Sequence, residues 1–142
     1  MDIRYSANQR DFKHYTTQEI RNEFLIEKLF EPDDSTAVYS HVDRIVTMGI
    51  MPVQKTVKLD QNIDCWKNFG VSYFLERREL GIINIGGEGM VTADGTKYKV
   101  AHLCGLYISM GTRSVTFEAA DPREPPKFYL CSTPAHRAFP TT

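Results

Sequence analysis

The sequence has few cysteines, no surplus of either charge, and no apolar run long enough to cross a bilayer. Cys65, Cys104 and Cys131 are odd in number and widely spaced, and no Cys-x-x-Cys occurs. That pattern excludes a disulfide scaffold and a zinc ribbon as readings, and it favours free thiols in a reducing compartment. A cytoplasmic protein is therefore expected. Seventeen Lys and Arg stand against 18 Asp and Glu, a formal net charge of -1. Neither nucleic acid nor an anionic membrane finds the clustered positive charge it would need. The opening "MDIRYSANQRDFKHY" is polar and lacks the apolar middle of a secretory signal. There is no Gly-x-Ser-x-Gly, and Gly86, Gly87 and Gly89 follow neither the phosphate-loop nor the dinucleotide pattern, so they read as a turn.

What the chain does have is β-forming sequence. With 142 residues it is long enough for one domain with a real core. Thr16 and Glu19 have capping-box spacing, and Ile20, Phe24 and Leu25 follow at helical intervals, so a short helix is expected there. "FLIEKLF" suits a strand as well as a helix. After the breaker cluster "EPDDST" come short segments rich in Val, Ile, Tyr, Phe and Thr, divided by turn signals. They include "TAVYSHV", "RIVTMGIMPV", "VSYFLE", "GIINIG", "GMVTA", "TKYKV", "GLYISM", "SVTFEA" and "KFYLCS". Asp94-Gly95 predicts a two-residue hairpin. "DPREPP" cannot be a central strand, and "TPAHRAFPTT" reads as an exposed tail or linker. The expected fold is mainly β: a cupin-like jelly roll over residues 32–142, preceded by an arm and short helix over residues 1–31.

A cupin metal site carries His-x-His, then a Glu and a Gly on one stretch, and a third His on a later one. Glu79 and Gly86 keep the Glu-to-Gly spacing, but Tyr73 and Leu75 stand in the two histidine places. In "SMGTRS" only Gly111 matches the second stretch, and Ser114 stands for the histidine. His14, His41, His102 and His136 are scattered. No metal ligand is therefore assigned. Cys104 and Cys131 lie in strand-like runs and read as buried, inert thiols. The charge cluster Glu76-Arg77-Arg78-Glu79 has two readings. It is a solvated strand end or salt-bridge network, or Arg77 or Arg78 forks a substrate carboxylate while Glu76 or Glu79 moves a proton. "YSHVDRI" has the same two readings: a polar turn, or an Asp43–His41 acid-base pair.

The stretches "RNEFLIEKLF", "VYSHVDRI", "GIMP", "GVSYFLERRELGIINIGGEG", "KFY" and "TPAH" resemble the 5-keto-4-deoxyuronate isomerase family, formally the 4-deoxy-L-threo-5-hexosulose-uronate ketol-isomerases. The resemblance runs along the whole chain and covers only the first half of a family member. It implies a cytosolic enzyme of pectin and uronate breakdown, built from two cupin-like halves, oligomeric, and carrying zinc. The zinc ligands lie in the second half, in a motif with Glu-Arg-Arg. Laid on Glu76-Arg77-Arg78, that motif puts its histidines on Tyr73 and Leu75 and its glutamate on Leu80, so no ligand carries over. The expectation is a non-metal half that binds no zinc and turns over little substrate alone. Its partners would be the C-terminal cupin half or copies of itself, with a small sugar acid as substrate. Glu76, Arg77 and Arg78 are the candidate substrate-binding residues. The alternatives are a non-catalytic cupin for oligomer assembly or uronate binding, and a sugar-binding regulatory domain.

Overall fold

A computed structural model describes all 142 residues. Its elements run in the order β1 (Asp2–Arg4), α1 (Gln9–Phe12), α2 (Thr17–Phe24), β2 (Ser35–Ser40), β3 (Val46–Ile50), β4 (Val57–Lys58) and α3 (Cys65–Phe69). A 3-10 turn at Phe74–Glu76 leads into β5 (Arg78–Asn84), β6 (Gly89–Ala93), β7 (Thr96–Val100), β8 (Gly105–Ile108), β9 (Val115–Ala119) and β10 (Phe128–Pro134).

The strands form two sheets, ordered β1-β2-β3-β10-β5-β8 and β4-β9-β6-β7. The pairing from β3 onward is nested. The first strand of this set pairs with the last, β3 with β10, and β4 pairs with β9, β5 with β8, and β6 with β7. A long hairpin folded over on itself in this way is the jelly roll the turn spacing predicts. Alternation sets its interior: Arg78, Leu80, Ile82 and Asn84 of β5 and Phe128, Leu130 and Ser132 of β10 are buried, while the residues between them reach outward. Phe74, Phe117, Phe128, Met48, Ile50 and Leu130 fill the space between the sheets with almost no exposed surface.

Two local expectations hold. Asp94 and Gly95 both adopt positive φ, 44° and 85°, the backbone a two-residue hairpin needs. Thr16 and Glu19 close a reciprocal capping box at the start of α2.

Five local expectations need correction. "VSYFLE" forms bends and a 3-10 turn and not a strand, because Phe74 and Leu75 are neighbours and both buried, whereas a strand would turn one of them outward. Cys104 is exposed, since it follows Leu103, which adopts φ 58° in the turn before β8. Cys65 is the buried thiol and Cys131 is half-buried. The chain's last residues do not hang free as a tail: Thr142 and Tyr107 exchange two backbone hydrogen bonds of 2.7 and 3.1 Å along the edge of β8. The polar N-terminus likewise contributes β1, paired in parallel with β2. Most of "FLIEKLF" is neither helix nor strand. Leu29 lies directly over Gly49 of β3, where any side chain would collide with it.

Candidate functional site

The charge cluster at the start of β5 is taken apart by the fold. Arg78 points inward and is only 6% exposed, so the solvated-strand-end reading fails for it. Its Nε donates to Ser132 Oγ at 3.1 Å, and its Nη2 donates to the carbonyls of Ser132 and Arg44, both at 2.7 Å. Phe69, Tyr39 and Phe74 surround the guanidinium, with ring centroids 5.3, 5.9 and 5.9 Å from its central carbon. No carboxylate reaches it. Burial pulls its pKa below the ordinary arginine value, against smaller opposing effects from Tyr39 and Cys131. Carbonyl dipoles and aromatic faces therefore do the work of a counter-ion here.

The other three charges go elsewhere. Arg77 is exposed, and its carbonyl accepts from the Ala135 N–H at 3.0 Å. Glu76 turns back to accept from the Ser72 N–H at 2.7 Å, closing the 3-10 turn. Glu79 faces the outside of the large sheet and accepts from the Tyr107 hydroxyl at 2.8 Å. Desolvation, together with this bond, raises the Tyr107 phenol above its usual pKa. Glu76, Arg77 and Arg78 thus have separate surroundings within one short stretch of chain.

Of the positions where a cupin would carry its ligands, only Leu75 and Ser114 come together. Leu75 is 1% exposed and belongs to the core. Tyr73 lies beneath Arg113, whose guanidinium is 5.2 Å from the ring centroid. Glu79 is on the far face of its sheet. Ser114 is exposed, and its N–H is held by Asp94. A phenol, an isobutyl group and a hydroxyl are not a zinc donor set, and no group of three or more His, Cys, Asp or Glu lies within reach of one ion. All four histidines are exposed. His41 stacks on Tyr5 at 4.6 Å, and His102 Nδ1 lies 2.9 Å from the Gly86 carbonyl oxygen. "YSHVDRI" is a polar turn: Asp43 accepts from the Ile45 N–H and makes no bond to His41.

Two features that sequence reading missed organise the ends of the sandwich. At one end Asn84, fully buried, donates to the carbonyls of Gly87, Val100 and Ala101 and accepts from the N–H groups of Gly86 and Lys127. At the other end a hollow of about 170 Å³ opens between the end of β4, the 3-10 turn and the β8–β9 loop. Lys58, Asp60, Leu75, Thr112, Arg113 and Ser114 contribute to its wall. Leu75 and Ser114, two of the vacant cupin ligand places, meet there.

Fold and site together define a jelly-roll module whose mouth is lined by Leu75, Lys58, Asp60, Thr112, Arg113 and Ser114. No family model matches the chain. Solved structures with a similar fold include a cupin protein from Bacteroides fragilis (15% identity, 69% of this chain and 72% of that one, TM-score 0.46). Another is a putative ethanolamine utilization protein Q from Salmonella typhimurium (13% identity, 72% and 69%, TM-score 0.48). Curated sequences give a nearer likeness. The 4-deoxy-L-threo-5-hexosulose-uronate ketol-isomerases of Escherichia coli O45:K1 and Shigella sonnei are both 50% identical to this chain over 141 residues. That is 99% of this chain and 50% of each relative. Along its whole length the chain is thus related to these ketol-isomerases, and it spans about half the length of the curated relatives it matches.

Proposed function

We propose that the chain serves as the non-metal half of a 4-deoxy-L-threo-5-hexosulose-uronate ketol-isomerase, a cytoplasmic enzyme of uronate breakdown. The reaction interconverts 5-dehydro-4-deoxy-D-glucuronate and 3-deoxy-D-glycero-2,5-hexodiulosonate. The observation that carries this reading is the 50% identity sustained over 99% of the chain. Moving a carbonyl along a sugar acid removes a proton beside it and passes through an enediolate, which needs a placed base and a group to hold the developing oxyanion. Zinc is the group proposed to supply that electrostatic hold, in a partner cupin half. This half contributes a rigid wall, with Arg78 locking the start of β5 to β10 and to the β2–β3 turn. The other half, or further copies of this chain, completes the assembly.

The test is metal analysis and an isomerase assay on the purified chain, alone and fused to the remaining half of an Escherichia coli relative. Neither zinc nor turnover is expected from the chain alone, and both are expected from the fusion. Stoichiometric zinc with turnover by the chain alone would refute the non-metal role. A folded, zinc-loaded fusion without isomerase activity would refute the isomerase reading.

A further inference from the structure

The outer face of the large sheet carries two strand glycines with opposite surroundings. Gly49 of β3 is a glycine because the N-terminal arm lies over it, and a side chain there would strike Leu29. Gly81, in the middle of β5, has no such reason within the chain. Its φ is not in the left-handed region. A Cβ built on it would find one atom within 4 Å, the Cys131 carbonyl oxygen at an ordinary 3.8 Å. Glycine inside a strand costs backbone entropy and leaves nothing to pack, and it marks places where another backbone or a ligand approaches closely. At Gly81 the fold itself brings nothing close.

The surroundings of Gly81 are arranged in rows. The register sets Gly81 between Cys131 of β10 and Tyr107 of β8, and the next row sets Ile83 between Tyr129 and Gly105. Alternation turns all six outward, away from the core. Ile83 is 49% exposed, and Ile85 beyond it is 45% exposed. Gly105 makes a second recess, where a Cβ would meet only the Ile82 carbonyl oxygen, at 3.3 Å. Each row therefore holds a bulky side chain beside a glycine, Tyr107 beside Gly81 and Ile83 beside Gly105. The two ends of the face differ in charge. The Ile85 N–H donates to the carbonyl of the exposed Lys127 at 2.9 Å, which puts a cation at one end. Glu79 is at the other end, and only its Oε2 is taken, by the Tyr107 hydroxyl.

Such a pattern is its own complement. Consider a half-turn about an axis in the contact plane, running across the strands between the two rows. It sets Ile83 into the recess at Gly81 of a second copy, and Tyr107 into the recess at that copy's Gly105. The same half-turn brings Lys127 of one copy beside Glu79 of the other. We propose that the outer face of β5, β8 and β10 is a two-fold contact between copies of this chain. Three strands by four rows span about 14 Å by 20 Å, a small patch, so the pair is a transient dimer. The proposal stands apart from the ketol-isomerase reading, because only this face and its charges enter it.

The experiment is sedimentation equilibrium of the intact chain from about 20 µM to 1 mM, with urea unfolding at the dilute end to report stability. A reversible monomer–dimer equilibrium is expected. Gly81→Val fills the recess and suits a strand, so it should weaken association by about tenfold or more while the urea midpoint stays or rises. Ile83→Ala, at an exposed position, should also weaken association by about tenfold with the fold intact. Lys127→Glu should weaken it by about threefold, and adding Glu79→Lys should recover the loss. A chain that stays monomeric at the highest concentration, or association unchanged in both Gly81→Val and Ile83→Ala, overturns the proposal. A monomeric chain whose fusion to the remaining half of a relative is destabilised by Gly81→Val gives the face to that other half, and equally overturns it. The isomerase assay of the fusion reports on the earlier reading and not on self-association of the chain, so the two fail separately.

Discussion

Asn84→Ala is the most informative single change in this fold. The side chain has no exposed surface and makes five hydrogen bonds, of 2.6, 2.9 and 3.3 Å as donor and 3.1 and 3.2 Å as acceptor. The Gly86 and Lys127 N–H groups have no other acceptor, so the alanine variant leaves both unpaired. An orphaned buried donor costs about 1–3 kcal/mol, and the lost donations to three carbonyls add to that, giving roughly 3–4 kcal/mol in all. Domain stability is of order 5–15 kcal/mol, so the loss is large yet survivable. Urea unfolding followed by circular dichroism should show the midpoint falling by about 2 M, with the slope unchanged. Asn84→Asp separates hydrogen bonding from packing. It keeps the acceptors for Gly86 and Lys127, loses the donors, and buries an acid whose folded pKa should rise above its unfolded value. Its stability should therefore be best below the unfolded carboxyl pKa and fall as pH rises through the folded one. An alanine variant within about 0.5 kcal/mol of the parent would refute the account, because solvent would then be serving those groups as well as the amide does.

Other outcomes follow from the same contacts. Arg78→Ala should cost about 2–4 kcal/mol, since three charge-assisted bonds and a filled volume are lost while the desolvation penalty is only partly recovered, and Arg78→Lys should not restore it because an ammonium lacks the fork. Arg77→Ala should change the urea midpoint little; equal losses at the two arginines would refute their separate assignment. Thiol labelling should modify Cys104 at once, Cys131 more slowly and Cys65 only on unfolding. Burial, with smaller effects from Asp60 and Asp64, pushes the Cys65 thiol up from 9.0 to about 11. Its contribution to stability is therefore complete below about pH 9 and lost between pH 9 and 11, and the Cys65→Ala variant should lack that alkaline loss.

The parts of this fold written locally were readable from sequence. Asp94-Gly95 needs only its own two residues to prefer a tight hairpin, and Thr16 with Glu19 closes a cap within one helical turn. Arg78 was not readable in this way, because what makes it internal is a carbonyl of Ser132 on a strand far along the chain. In sequence its charge looks like Arg77's. Asn84 is hidden for the same reason, since its partners arrive from three separate turns. The hollow at the mouth was invisible because Lys58 and Arg113 sit at opposite ends of the chain's nested pairing, and neither carries a motif. The vacant cupin frame, by contrast, depends on residue identity at fixed spacing, and Leu75 and Ser114 do meet at that place.

The nested strand order also governs how the chain reaches this state. Only the β2–β3 and β6–β7 hairpins join neighbours in sequence; the other pairings from β3 onward must wait for longer loops to close, which places the fold among slow, non-local folders. β10 is the last of these ten strands in chain order, and it lies between β3 and β5, pairing Val46 with Ser132 on one side and Leu80 with the same residue on the other. Until Phe128–Pro134 arrives, the large sheet is two ribbons with facing raw edges, each a template for another chain. Closure of the large sheet is therefore set by how fast one seven-residue strand finds the gap left for it.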